Sequence, residues 1–534
     1  MTSDPSDFPC TGKKRLLLAA TSASNLAELA DMSKVLAIRG HRIVLLYIYS
    51  ESIRQVHADA IVALNSLNGI HQRLTTRLID LDSGETDVDI RDQDAQATMH
   101  PTGRQYGKKF AELLRLLDNI HLKPLLRRWL DSKGWWLPLR EFRRRLNIWG
   151  LVRFSTLHMA LRVPPLVINY RAHLSVFRAF LKQGRYDAIL VPEDVVGDVW
   201  PLLIKAGHKE GIPTIVFPYT LANQEEAFQS LRGELAYQSK YNRLAANFFP
   251  RWRKKADGAD IVRLPASHIL AHEWLRITPP DPWMMNSGYA NVICVDSPSS
   301  RDYFVRGGIP ADKLLAVGSV SQDSLYRQLR DKQEGLKELR RELGLNDVKP
   351  LLLISGCPNQ LAGSVPYCQF SSIEEIADHV GRAVSVLRDS YHLVVRPHPN
   401  FPIFGELLKP WMVVSTMIPT AHLVPLSDLF IAFASATIRW AIACGVPTIN
   451  YDVFHYGYGD FEMAKGVRTV ADAEDFISAL QQMEPGCEKY REAKECTEAD
   501  ATYWGMLDGR CAERIEEVIA STCDKSWRTF PVGR

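Results

Sequence analysis

A buried strand, a loop, an amphipathic helix and another buried strand recur along this chain, and that alternation limits the fold more than any other feature. In "KKRLLLAATSASNLAELADMSKVLAIRGHRIVLLYIY", Leu16 to Ala20 form a short apolar run. Leu26, Leu29, Met32, Leu36 and Ile38 then follow at helical spacing, Gly40 stops the helix, and Ile43 to Tyr49 form the next apolar run. Strands that are apolar on both faces are parallel and need helices above and below them. The pattern returns at "YDAILVPEDVVGDVWPLLIKAGHKEGIPTIVFPYT" and "NVICVDSPSSRDYFVRGGIPADKLLAVGS". It returns again in "KPLLLISG", "YHLVVRPHP", "SDLFIAFAS" and "VPTINYD". The class is α/β, with open doubly wound sheets.

One sheet would need too many strands, and 534 residues exceed what a single core usually holds. Two Rossmann-like domains are expected, divided near Gly318: 1–318, then 319–505. A charged helix, "DSLYRQLRDKQEGLKELRRELGL", opens the second. The last part, 506–534, holds an amphipathic helix that could pack back on either domain.

Composition excludes several classes. Hydrophobic residues are 46% and charged residues 23% of the chain, a balance that supplies ample core, and the net charge of +3 is not that of a nucleic-acid polycation. The nine cysteines form no C-x-x-C pair and are expected to be reduced thiols. The first twelve residues lack a signal peptide's pattern, and no apolar run approaches the roughly 20 residues that span a bilayer. The expected location is the cytoplasm. One segment stands out: 121–155 carries nine Lys and Arg against Asp131 and Glu141, with Trp129, Trp135, Trp136 and Trp149 among them. A basic, Trp-rich amphipathic stretch suits an anionic membrane surface, which would place the protein at the periphery of the inner membrane. A helical insertion with buried Trp rings suits the same residues, and both readings stand.

Ligands of open α/β sheets sit off the carboxyl ends of strands, and that rule nominates particular loops. "SYHLVVRPHPN" ends a buried strand in Arg396-Pro397-His398-Pro399. The prolines stiffen the backbone, and Arg396 and His398 can both donate to a phosphate. A turn histidine satisfied by carbonyls is the alternative. In "SDLFIAFASATIRWAIACGVPTINYD" a strand meets Ser435 and Thr437 just before a helix start, where free N–H groups attract anions, although plain N-capping would look the same. The next strand ends on Asp452. "LLLISGCPNQ" ends in Ser355 and Gly356, where a ligand can approach the backbone closely. In the first domain "AILVPEDVVGD" sets Glu193 and Asp194 directly after a strand, positioned for a general base, with Glu225 and Glu226 next in line. Solvated acidic loops are the alternative. No G-x-x-x-x-G-K-[ST], G-x-G-x-x-G after the first strand, H-E-x-x-H or G-x-S-x-G is present, so kinase, dinucleotide, zinc-hydrolase and serine-hydrolase readings lose their usual support.

Taken in order, these pieces resemble the GT-B superfamily of nucleotide-sugar enzymes, in which two Rossmann-like domains face each other across a cleft. "GIPADKLLAVGSVSQDSL" looks like its interdomain passage, "VVRPHPN" like its His-Pro loop, the segment from Ser427 to Asp452 like its donor-binding strand–helix–strand, and "MLDGRCAERIEEVI" like a terminal helix crossing back to the first domain. The resemblance runs from about Asp187 to Ile519. It is similar to bacterial Kdo- and sialic-acid-type transferases of capsule and lipopolysaccharide synthesis, to UDP-N-acetylglucosamine 2-epimerases, and to CDP-glycerol-type phosphotransferases.

The resemblance implies a metal-independent glycosyltransferase with no cofactor and no nucleic-acid partner. A nucleotide-sugar donor, CMP- or UDP-linked with Kdo or another nonulosonic acid, would be held by Ser355, Gly356, Arg396, His398, Ser435, Thr437, Arg439 and Asp452. Asp194, with Glu193 beside it, would be the base toward a glycan or lipid-linked glycan acceptor. Many UDP-sugar enzymes carry an acid where this chain has Arg439-Trp440, which leaves CMP-linked donors open. The epimerases' catalytic His has no match in "ISGCPNQ". An epimerase-like isomerase and a non-catalytic binding protein are the alternatives.

Overall fold

The structure, a computed structural model, describes residues 12–49, 67, 70–81, 162–217, 224–232, 237, 240–256, 258–357, 368–398 and 401–524. The basic Trp-rich segment 121–155 lies outside them.

The first sheet contains β1 (Arg15–Ala20), β2 (Arg42–Tyr49), β3 (Leu74–Asp80), β4 (Ala188–Val191), β5 (Thr214–Val216), β8 (Val292–Val295) and β9 (Leu314–Ala316). Its order is β3-β2-β1-β4-β5-β8-β9, all parallel. β1 is central: Leu18 pairs with Leu45 on one side and Leu190 on the other. Its alternate residues serve two cores. Leu17 and Ala19 face Phe177, Trp200 and Phe304, while Leu16, Leu18 and Ala20 face Leu26, Leu29 and Met32 of α1 (Ala23–Ile38). A helix over 162–184, labelled α2, and α3 (Trp200–Lys209) cover the first of these faces.

Between β5 and β8 the chain leaves the sheet. It forms α4 (Gln224–Arg232), α5 (Lys240–Phe248), an antiparallel hairpin of β6 (Arg253–Ala256) and β7 (Ala259–Val262), and α6 (Ala266–Leu275). The sequence reading gave no sign of this hairpin. After β8 comes α7 (Pro298–Arg306), capped by Ser297, whose hydroxyl accepts from the Ser300 N–H.

The second sheet contains β10 (Leu351–Ser355), β11 (His392–Arg396), β12 (Val413–Val414), β13 (Leu429–Ala432), β14 (Thr448–Tyr451) and β15 (Val467–Val470), in the order β12-β11-β10-β13-β14-β15. Here too the first strand is central, with Leu353 paired to Val394 and to Phe430. The charged stretch before it is two helices, α8 (Val320–Arg330) and α9 (Lys332–Leu343), broken at Asp331, whose ψ of 24° leaves the helical region. The remaining helices used below are α10 (Ile373–Ser385), α11 (Ile403–Leu408), α12 (Ile438–Ala443), α13 (Ala473–Gln482), α14 (Glu488–Trp504) and α15 (Cys511–Asp524).

α15 returns to the first sheet, where Cys511, Ile515 and Ile519 share a core with Leu16 and Leu18. Buried Asp323 on α8 accepts from the N–H groups of Cys511 (3.2 Å) and Ala512 (3.4 Å), capping the start of α15. Two doubly wound parallel sheets joined in this way are the GT-B arrangement. Each sheet reverses its strand order beside its first strand, between β1 and β4 and between β10 and β13, and those two switch points are where an open α/β sheet binds ligands.

Candidate active site

At the second switch point the ladder runs one residue past β10: the Gly356 N–H donates to the Arg396 carbonyl at 2.7 Å. A Cβ on Gly356 would lie 2.2 Å from the His398 nitrogen, and one on Gly405 of α11 would lie 2.2 Å from Pro397 Cγ. The Arg396–His398 loop is therefore clamped between two backbones that only glycine permits so close. Gly356 was expected to admit a ligand; the structure shows it admitting this loop.

The clamp holds Arg396 half-buried. Its Nη1 donates to the Pro397 carbonyl at 3.1 Å, its Nε is buried without a partner, and no carboxylate pairs with it among the described residues. Burial lowers its pKa, but a guanidinium stays charged. His398 is exposed beside it, and partial desolvation and then the Arg396 charge lower the imidazole's pKa.

Across the switch point, β13 leads to Ala434, which is held at φ 46° while its N–H donates to Asn450 Oδ1 at 2.9 Å. A non-glycine residue in the left-handed region carries strain, as loops at working sites often do. It turns Ser435 and Thr437 toward each other, with their hydroxyls 2.9 Å apart. α12 behind them has only six residues, and the Thr437 side chain does not cap it. Ser355 is buried at the end of β10.

Two expected ligands are directed elsewhere. Asp452 is buried, and its two oxygens accept from the N–H groups of Tyr456 (2.9 Å) and Gly457 (2.8 Å), so it fixes the turn after β14. Arg439 crosses to the first sheet. Its Nη2 donates to Asp296 Oδ1 at 2.8 Å and to Ser297 Oγ at 2.9 Å, both in the loop after β8, and to Ser300 Oγ in the first turn of α7, and it sits 5.8 Å from the Trp504 ring centre. Tyr503 donates to Asp302 of α7 at 2.9 Å and reinforces the same crossing. Arg439 is thus a tie between the two halves, with its charge already matched.

The first switch point carries acids. Asp194 is buried under the 286–290 loop: its N–H donates to Asn286 Oδ1 at 2.7 Å, its carbonyl accepts from the Asn286 N–H at 3.0 Å, and a Cβ on Gly288 would lie 1.8 Å from its Oδ2. Burial pushes its pKa up to about 6 against the pull of Lys313 and of the Tyr289 and Ala290 N–H groups. A carboxylate covered in this way organises a loop and is closed to an acceptor. Glu193 is only half-buried. Burial and repulsion from Asp198, opposed by Trp200, push it up to about 7. Of the adjacent pair expected to supply a base, Glu193 is therefore the more accessible and Asp194 the covered one. Glu225 is engaged by Gln229 (2.7 Å) and Lys254 (3.3 Å) within the elements between β5 and β8, and the Glu226 side chain lies outside the described residues.

Sequence reasoning missed Glu28. It lies on α1 just beyond the first switch point and lines a cavity of about 20 Å³ with Pro192, Asp296, Gly318 and Ser319. Burial pushes it up to about 7; Ser321, which donates to it at 3.3 Å, opposes the shift, and Asp296 adds to it. Nothing in "NLAELADM" distinguishes this glutamate from a solvated one, because the residues around it, among them Pro192, Asp296 and Ser321, come from far along the chain. A larger cavity of about 480 Å³ opens between the halves, lined by Tyr303 and Arg306 of α7, Ser435, Arg439, Tyr458 and Trp504 among others. No cluster of metal-ligating side chains and no helix long and apolar enough to cross a membrane occurs among the described residues.

No protein-family model matches the sequence, and no curated protein matches it. Solved structures do align with it. UDP-GlcNAc 2-epimerase from Neisseria meningitidis bound to UDP-GlcNAc is 12% identical, with 95% of this chain and 100% of that chain covered and a TM-score of 0.42. The calicheamicin glycosyltransferase CalG4 is 13% identical, covering 96% and 99%, with a TM-score of 0.47. A glycosyltransferase from Rickettsia africae is 11% identical, covering 96% and 99%, with a TM-score of 0.45. At this distance a substrate cannot be carried across, and the functional reading rests on the residues above.

Proposed function

We propose that the chain is a metal-independent glycosyltransferase that moves a sugar from a nucleotide-activated donor to a glycan acceptor of a bacterial surface polysaccharide. The donor is CMP- or UDP-linked, with Kdo or another nonulosonic acid as the candidate sugar. The observation that carries this reading is the clamped Arg396–His398 loop, which holds a cation without a carboxylate partner among the described residues at the second switch point. Phosphate oxygens would meet Arg396, His398, Ser435 and Thr437, and these groups stabilise the charge that develops as the nucleotide leaves. The acceptor hydroxyl would approach from the first half and lose its proton to Glu193.

An epimerase-like isomerase is the second reading. It is favoured by two carboxyl groups pushed up to about 7, Glu193 and Glu28, since proton transfer at carbon uses an acid and a base. Incubation with UDP- and CMP-sugars, with and without a glycan acceptor, separates the two. Acceptor-dependent release of free nucleotide supports transfer, and an epimeric nucleotide-sugar seen by NMR supports isomerisation. Nucleotide binding without either leaves a non-catalytic binding protein.

A further inference from the structure

The lobe between β5 and β8 has its own core, in which Trp252, Val262, Leu264 and Ile269 pack together. That core also takes in Val196, from the loop that carries Glu193, so the lobe sits against the carboxyl edge of the first sheet. Its outer face is unusual. Leu244 and Phe248 on α5 are 57% and 75% exposed, and at a spacing of four they share one side of the helix. Trp274, near the end of α6, is 69% exposed. Arg251 pairs with Glu273 through both carboxylate oxygens (2.9 and 2.7 Å), and the Trp252 indole donates to the same carboxylate at 2.7 Å. These bonds fasten the end of α5, with Phe248, to the end of α6, with Trp274.

The charge around these rings is one-sided. From Lys240 to Arg276 the chain has eight Lys and Arg against three acids. Two of the acids are already matched, Asp260 by Arg253 and Glu273 by Arg251. Arg243, Lys255 and Arg276 are exposed. Aromatic and aliphatic tips among cations fit the headgroup region of an anionic bilayer, where rings insert and Lys or Arg meet lipid phosphates. A second copy of the chain would cover the rings but bring two basic faces together.

We propose that this face, with Leu244, Phe248 and Trp274 inserted and Arg243, Lys255 and Arg276 around them, docks the protein on an anionic membrane surface. The docking does not depend on the transferase reading. Where both hold, it brings the Glu193 loop to the surface where a lipid-linked acceptor resides.

The test is sedimentation of the full chain with phosphatidylglycerol-containing and with pure phosphatidylcholine vesicles, at low and high salt. It needs no turnover, so its failure is distinct from failure of the proposed activity. The parent should pellet with anionic vesicles at low salt, and less at high salt. The Phe248→Ser/Trp274→Ser variant should lose at least about tenfold in partitioning, since two large apolar side chains no longer insert. Both residues are exposed, so its thermal melt should match the parent's. Arg143→Gln/Arg144→Gln/Arg145→Gln, in the 121–155 segment, is the comparison arm and should lose less. A parent that stays in the supernatant overturns the proposal, as does a double variant that pellets like the parent. A parent dimer in sedimentation velocity that the double variant abolishes also overturns it, by making the face a contact between copies.

Discussion

The two switch points share a topology and carry opposite chemistry. In the second sheet the end of β11 and the loops after β11 and β13 present a guanidinium, an imidazole and two hydroxyls. In the first sheet the loop after β4 and the neighbouring α1 present carboxyl groups whose pKa values burial has raised. The strand order beside each first strand is the same, so topology places a site at each edge without deciding what it binds. The difference lies in a handful of loop residues: under the proposed function one half would supply charge for an anion, and the other would supply groups able to take up a proton near neutral pH.

The largest effect is expected from Glu193→Gln, which removes the base and keeps the shape. Turnover should fall by about 10²–10⁴-fold while nucleotide affinity is unchanged. In the parent, kcat/KM should rise with pH and level off above about 7, because the base works deprotonated and its pKa is about 7. The variant should lose that limb. Parent-like turnover in Glu193→Gln would move the base to Glu28, and the comparison would then be between the second sheet's edge and α1.

Arg396→Gln comes next. Losing a charged donor should weaken nucleotide binding by about ten- to a hundred-fold, read by calorimetric titration. His398→Ala should cost less, since partial burial and then the neighbouring arginine disfavour the charged imidazole. Parent-like affinity in Arg396→Gln would remove the anion-binding role from this edge.

These experiments address what the sequence could and could not show. Strands such as Leu351–Ser355 and Ala188–Val191 were legible because both faces of a parallel sheet are covered, so the runs Leu351 to Ile354 and Ala188 to Val191 are apolar throughout. Edge strands such as Val413–Val414, two residues long, give no such run. The loops were legible because they follow those strands. Which neighbour faces outward was not: Glu193 and Asp194 are adjacent, and only the 286–290 loop, some 90 residues on, decides that Asp194 is the covered one. The resemblance set Arg439 among the expected donor-binding residues, but its partners Asp296, Ser297 and Ser300 come from the other half. Long-range packing is the information that local pattern lacks.

Asp194→Asn tests the covered acid, and its readout is stability. The folded pKa of about 6 lies above the ordinary aspartate value, so between about pH 4 and 6 the native state holds more protons than the unfolded chain. Asp194 therefore favours folding at low pH and costs stability as pH rises through about 6. The cost is on the order of 2–3 kcal/mol at about 1.4 kcal/mol per pKa unit. Urea unfolding at pH 4 and at pH 7 should show the variant with a shallower decline than the parent, and turnover largely kept. An equal decline in both, together with lost turnover, would return the catalytic role to Asp194.

The smallest effect on binding is expected from Arg439→Gln, which sharpens the contrast between Arg396 and Arg439, two arginines of the second half. Arg396 has no carboxylate partner among the described residues, whereas Arg439 is bonded to Asp296 and two serines and lies over Trp504. A matched, half-buried arginine has little charge left for a ligand, so nucleotide affinity should change by less than about threefold, under 1 kcal/mol. The tie itself should still be missed. One charged hydrogen-bond set is worth about 1.5–3 kcal/mol, and its loss should make the two halves separate more readily, seen as a larger radius of gyration in small-angle scattering. If Arg439→Gln instead weakens nucleotide binding as much as Arg396→Gln does, the ligand must draw Arg439 away from Asp296. The first sheet would then regain an unpaired aspartate each time the second sheet fills, and the two edges would be coupled through a single arginine.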